Sequence, residues 1–221
     1  MTVAAIVLVP DMAVALSDAD GEPAIRRVAH AAWSGGAFPI VIVTDDGEGK
    51  VAEAVAGLPA TLSSPGPDEP RGVAWLVHGL RAAGAAVTET TAGFLWPARC
   101  AWVDPETITS MVEAHGSAAG QIIRPAWQGQ QGFPVLVPVT LIDELLGRLN
   151  LHGYEAVEEI IAAGAPHQIL DLGDPGIVFD LATPRLALPR YQGPPQPEAA
   201  AVQEWNAELA AAAELSAETN R

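Results

Sequence analysis

Apolar, β-branched runs alternate with segments of helical period along most of this chain, and that alternation admits few folds. Residues 3–9, Val-Ala-Ala-Ile-Val-Leu-Val, contain no polar position, as expected of a strand buried on both faces. A second run, Ile40, Val41, Ile42 and Val43, lies within 39–44. Between them, 23–35 reads as a helix. Pro23 suits its first turn, Ile25, Val28, Ala29, Ala32 and Trp33 share one face, and Gly35-Gly36 ends it. Further strands are expected at 61–63, 92–96, 119–125, 135–138, 168–172 and 177–179. Further helices are expected at 49–56, 72–84, 104–115, 140–148 and 154–164. Buried strands alternating with helices imply a mostly parallel sheet covered on both faces, a three-layer α/β/α sandwich of Rossmann-like type. Such sheets bind ligands at the carboxyl ends of their strands. Here those ends are Pro10-Asp11, Thr44-Asp45, residues 97–99 and residues 180–183.

A chain of 221 residues forms a sizeable core, and residues 1–186 read as one domain. Residues 187–197 read as a Pro-rich linker and 198–221 as an Ala-rich helix. Val202, Trp205 and Leu209 make an apolar stripe on that helix, suited to packing back on the domain or to a homodimer contact. The formal charge of −16 argues against nucleic acid and anionic membrane as partners. No apolar run reaches membrane-spanning length, and the N-terminus lacks the basic start of a signal peptide. The single Cys100 excludes an internal disulfide, so a cytoplasmic location is expected. The five histidines show no metal-ligand spacing.

Four stretches carry a more particular signal. They are Gly21-Glu22-Pro23-Ala24-Ile25, Val103-Asp104-Pro105-Glu106-Thr107-Ile108, Gly129-Gln130-Gln131-Gly132-Phe133-Pro134-Val135-Leu136, and the run from Asp174-Pro175-Gly176 to Asp180-Leu181-Ala182-Thr183-Pro184. In this order, over residues 3–186, they resemble the MobA-like nucleotidyltransferases, the molybdenum-cofactor guanylyl- and cytidylyltransferases. The resemblance implies a sheet of nucleotidyltransferase type and a ligand cleft at its strand ends. It also implies that the 129–134 loop lines the acceptor pocket, so that Gly129, Gln130, Gly132 and Phe133 join Asp11, Arg99 and Asp180 as candidate ligand-binding residues.

Three departures from that pattern bear on chemistry. The family's glycine-rich loop after the first strand is replaced by residues 10–20, which contain no Gly, Lys or Arg. A phosphate-cradling turn needs glycines so that backbone N–H groups approach the anion. The position of the family's metal-binding Asp after the central strand falls on Arg99, and the second Asp of its closing motif falls on Ala182. Nucleotidyl transfer needs Mg²⁺, held by carboxylates and phosphate oxygens, to neutralise charge on the phosphoryl group. Removing one electrostatic donor from such a site costs about 10²–10³-fold in rate.

The sequence is therefore read as a degenerate member, a pseudoenzyme that binds a small anionic, nucleotide-like or pterin-like ligand, or a partner enzyme. It is expected to hold no metal and no cofactor, with Mg²⁺ only if it is active. The alternative is an active nucleotidyltransferase with a rearranged site, in which Asp11, Asp174 or Asp180 recruits Mg²⁺. An oxidoreductase is a third reading, but no dinucleotide fingerprint supports it.

Overall fold

The computed structural model describes residues 1–66, 69 and 71–193. The proposed C-terminal helix and the last part of the linker lie outside them. The first strand, β1 (Thr2–Leu8), is followed by a short helix, α1 (Met12–Ala15), and by α2 (Ala24–Ser34). Next come β2 (Ile40–Val43), α3 (Lys50–Ala54), β3 (Ala60–Ser63) and the long helix α4 (Val73–Ala86). The second half holds β4 (Thr90–Pro97), α5 (Pro105–Ser117), β5 (Ile122–Trp127), β6 (Gln130–Gln131) and β7 (Val135–Pro138). It closes with α6 (Ile142–Leu146), α7 (Gly153–Ala162) and β8 (His167–Asp171).

The strands form one sheet in the order β3-β2-β1-β4-β7-β5-β6, with β8 also paired to β5. β1 runs parallel to β2 and β4, β2 to β3, and β5 to β8, while β7 is antiparallel to both its neighbours. Alternate residues of β1 enter opposite cores. Val3, Ala5 and Val7 pack with α2 and α5 residues such as Ile25, Val28 and Ile108, whereas Ala4, Ile6 and Leu8 pack with α4 and α7 residues such as Leu76, Leu80 and Val157. The period of two sends successive side chains to opposite faces, and both faces are covered. This is the expected α/β/α sandwich, with a mostly parallel sheet. No helix among the described residues is long and apolar enough to cross a membrane.

Several expectations are refined. The expected strand at 177–179 is instead a 3₁₀ turn, Pro175–Ile177, because the buried Asp174 carboxylate accepts from the Gly176 N–H at 2.8 Å and curls the chain. Gln130–Gln131, read as loop, pairs with Ala126 and Trp127 as a hairpin, with Gly129 at φ +78° in its turn. The helix expected at 140–148 is a 3₁₀ turn, Val139–Leu141, running into α6. The expected linker begins against the domain: Tyr191 donates to Glu106 at 3.0 Å and Gln192 N–H to the Gly173 carbonyl at 3.1 Å.

Two glycines of α4 report how tightly that helix seats. A Cβ on Gly79 would lie 2.2 Å from Ile6 Cγ2 and 3.0 Å from Val43 Cγ2, whereas one on Gly84 would meet nothing within 4 Å. Gly79→Ala should therefore destabilise the fold by about 1–3 kcal/mol through overpacking. Gly84→Ala should stabilise it by about 0.5–1 kcal/mol through helix propensity. Urea unfolding of both variants checks the pair; equal effects would mean that α4 does not lie on β1 this closely.

Candidate functional site

The strand order places β1 between β2 and β4, so the chain turns one way after β1 and the other way before β4. That reversal opens a crevice at their carboxyl ends. A cavity of about 400 Å³ occupies it, with Leu8, Pro10, Leu95, Pro97, Phe133 and Tyr154 forming mostly apolar walls. Arg71, Gly72, Trp75, Arg99, His152 and Gly153 complete the lining. A neighbouring hollow of about 540 Å³ is lined by Asp11, Asp45, Arg71 and Trp75, and a smaller one of about 200 Å³ by Asp11, Val14 and Arg99.

Arg99 stands just beyond β4, its side chain half exposed. Its Nε lies 3.3 Å from Asp180 Oδ2, and its guanidinium sits over the Phe133 ring at 5.5 Å from the centroid. The Arg99 carbonyl accepts from the Leu181 N–H at 3.1 Å, which carries the 180–183 segment to the mouth of β4. Asp180 Oδ1 accepts from the Ala182 N–H at 3.0 Å. Asp11 caps α1, with Oδ1 accepting from the Ala13 N–H at 2.9 Å. The shortened segment after β1 is thus a capped turn of helix, with no glycine to open its backbone to an anion.

Asp174 lies elsewhere. Its Oδ2 accepts from the Asp104 N–H at 2.9 Å and from Thr107 Oγ1 at 2.8 Å, in addition to the Gly176 bond on Oδ1. Burial nevertheless holds its carboxyl above the ordinary aspartate range, against the pull of those donors.

The sequence profile of the MobA-like NTP transferase domain matches residues 15–168. The chain belongs to this family. No curated protein sequence matches it significantly. Among solved structures, it is similar to Rv0371C of Mycobacterium tuberculosis H37Rv in complex with manganese, at 19% identity and TM-score 0.58, over 78% of this chain and 89% of that one. It is also similar to 2-C-methyl-D-erythritol 4-phosphate cytidylyltransferase from Thermus thermophilus, at 16% identity and TM-score 0.62, over 84% and 95%. A third is molybdopterin-guanine dinucleotide biosynthesis protein A from Archaeoglobus fulgidus, at 14% identity and TM-score 0.56, over 77% and 83%. At these identities the likeness concerns the fold.

The residues at the mouth of β4 do not fit a divalent cation. Among the described residues no three His, Cys, Asp or Glu side chains converge as a metal site. Asp180 is paired with a guanidinium, and Asp174 is buried with three hydrogen bonds already made. A cation at the mouth of β4 would face the Arg99 charge.

Of the sequence-predicted site residues, Asp11 and Arg99 line the crevice, Asp180 reaches it through Arg99, and Phe133 forms part of its wall. Gly129 and Gln130 shape the exposed β5–β6 hairpin. Gly132 is pressed against the chain, where an added Cβ would lie 2.0 Å from the Ile177 carbonyl oxygen. Three tryptophans at or near strand ends, Trp96, Trp102 and Trp127, do not line the cavity. Trp96 is fully buried and donates to the Cys100 carbonyl at 2.9 Å, Trp102 donates to the Asp180 and Thr183 carbonyls, and Trp127 packs edge-on against Phe179. Trp75 lines it instead, together with Arg71, His152 and Tyr154. Arg71 lies outside α4, beyond the non-helical Gly72, so helical spacing along the sequence does not pair it with Trp75.

Cys100 follows Arg99 but does not share its exposure. Burial pushes its thiol up to about 12, even with the guanidinium beside it. The native protein should therefore resist iodoacetamide at pH 8 and react only on unfolding, as mass spectrometry of the alkylated chain would read out. Fast native labelling would show that the strand end is open.

Proposed function

We propose that this chain is a non-catalytic member of its family that binds a small anionic ligand directly at the crevice, without a bridging Mg²⁺. The observation that carries the reading is Arg99. The resemblance puts the family's metal carboxylate at this position, and the guanidinium there is half exposed and paired with Asp180. A guanidinium offers five donors in a planar fork, a match for carboxylate or phosphate oxygens, and it stays charged at any working pH. Its exposed bridge to Asp180 contributes only about 0–1 kcal/mol, so an anion displaces it at little cost. The capped helical turn after β1 further supports the reading, because it lacks the glycines and lysine that would cradle a triphosphate. A role alongside molybdenum-cofactor enzymes, with a pterin-like or nucleotide-like ligand, is part of this proposal and follows from the family alone.

The expected outcomes are specific. Titration calorimetry in metal-free buffer should detect pyrophosphate binding, and added Mg²⁺ should not strengthen it. Arg99→Ala should abolish binding while leaving the melting temperature nearly unchanged. Incubation with GTP or CTP, Mg²⁺ and a molybdopterin acceptor should release no pyrophosphate above background. Steady release, lost in Asp180→Asn, would replace this reading with an active transferase whose metal site is rearranged.

A further inference from the structure

The lining of the 400 Å³ cavity departs from the charge of the chain as a whole. The chain carries a formal charge of −16, with 27 Asp and Glu against 11 Lys and Arg. Yet the described residues that line this cavity include two arginines and a histidine and no carboxylate. The two guanidiniums occupy different parts of the wall, since Arg71 also borders the hollow beside Asp45, and Arg99 borders the one beside Val14. Each rests on an aromatic face: Arg71 lies 5.8 Å from the Trp75 ring centroid and Arg99 lies 5.5 Å from that of Phe133. Such stacking holds the forks in place and lowers the entropy lost when they grip an anion. Between them the walls are Leu8, Leu95, Pro97 and the rings of Phe133 and Tyr154. Trp75 is 5% exposed and lines both larger hollows, so the ring that carries Arg71 is itself part of the wall.

We infer that this cavity takes a flat, apolar-bodied molecule with an anionic group at each of two ends, one held by Arg99 and the other by Arg71. The inference rests on the reading of the crevice as an anion site and adds a second anchor and a body shape to it. Apolar walls accept a ring system, and the paired forks reject a molecule with only one charged end by leaving the other guanidinium unmatched.

The test uses the full chain in metal-free buffer, with naphthalene-2,6-dicarboxylate, 2-naphthoate and pyrophosphate as probes in calorimetry. The dicarboxylate should bind about 10–100-fold tighter than the monocarboxylate, the range expected for an additional charged hydrogen-bond pair. Arg71→Gln and Arg99→Gln should each bring the dicarboxylate down to the level of 2-naphthoate, and the double variant should bind neither. In protein labelled with ¹⁵N-tryptophan, the Trp75 indole N–H resonance should shift on adding the dicarboxylate and stay in place in Arg71→Gln. Circular dichroism and urea unfolding of each variant confirm that it folds. Equal affinities for the two naphthoates, or an Arg71→Gln variant that keeps the advantage, would overturn the two-headed ligand and leave the Arg99 anion site standing. The same holds if pyrophosphate binds and neither naphthoate does. If none of the three probes binds, the anion-site reading fails as well.

Discussion

Burial of β1 on both faces is the constraint on which the rest of the structure depends. Ala4, Ala5, Ile6 and Val7 are wholly out of water. A sheet with such a strand at its centre must carry a helix layer on each side, since either face left bare would expose a row of apolar side chains. α2 and α5 cover one face, and α4, α6 and α7 cover the other. Small residues set how closely these layers approach. Gly79 and Gly93 lie against Ile6, and an added Cβ on Gly93 would come 2.5 Å from Leu80 Cδ2. The same placement of β1 between β2 and β4 produces the crevice, because no crossover helix lies over the point where the strand order reverses.

The charges at the crevice are what the proposed reading turns on. In the family pattern a carboxylate at the end of the central strand attracts a divalent cation, and the cation in turn attracts phosphate oxygens. On the reading proposed above, Arg99 stands in for that carboxylate and metal with one charge of the sign an anion needs. Two acids near the crevice have local tasks. Asp11 caps α1, and Asp180 is shared between Arg99 and the Ala182 N–H. A guanidinium cannot supply the Lewis acidity of a metal, which is why the proposed function is recognition and not phosphoryl chemistry.

The C-terminal part of the domain is fastened by one buried carboxylate. Asp174 ties the start of α5, through Asp104 and Thr107, to the turn at Gly176. Gly176 sits so close to the chain at Trp102 that a Cβ would lie 2.2 Å from its carbonyl oxygen. The Trp102 indole then donates to the Asp180 and Thr183 carbonyls at 2.9 and 3.0 Å. These contacts bring Asp180 to Arg99. The positions that resemble the family's closing motif therefore serve here as a structural fastening whose last acid pairs with a cation.

The layers, the order of strands and helices along the chain, and the cap at Asp104 were legible in the sequence, because each follows from local periodicity and capping chemistry. So was the loss of the glycine-rich loop, which is a matter of residue type alone. The turn at Pro175–Ile177 was not, since the apolar Ile177 and Val178 read as strand until Asp174 meets donors some 70 positions away. The second anchor of the cavity was also invisible. Arg71 and Trp75 come before β4 in the chain, and only the packing of α4 across β1 and β2 brings them into one cavity with Arg99 and Phe133. Periodicity is carried by neighbouring residues and can be read along the chain. A cavity is carried by residues distant in sequence, and their meeting depends on how the layers close.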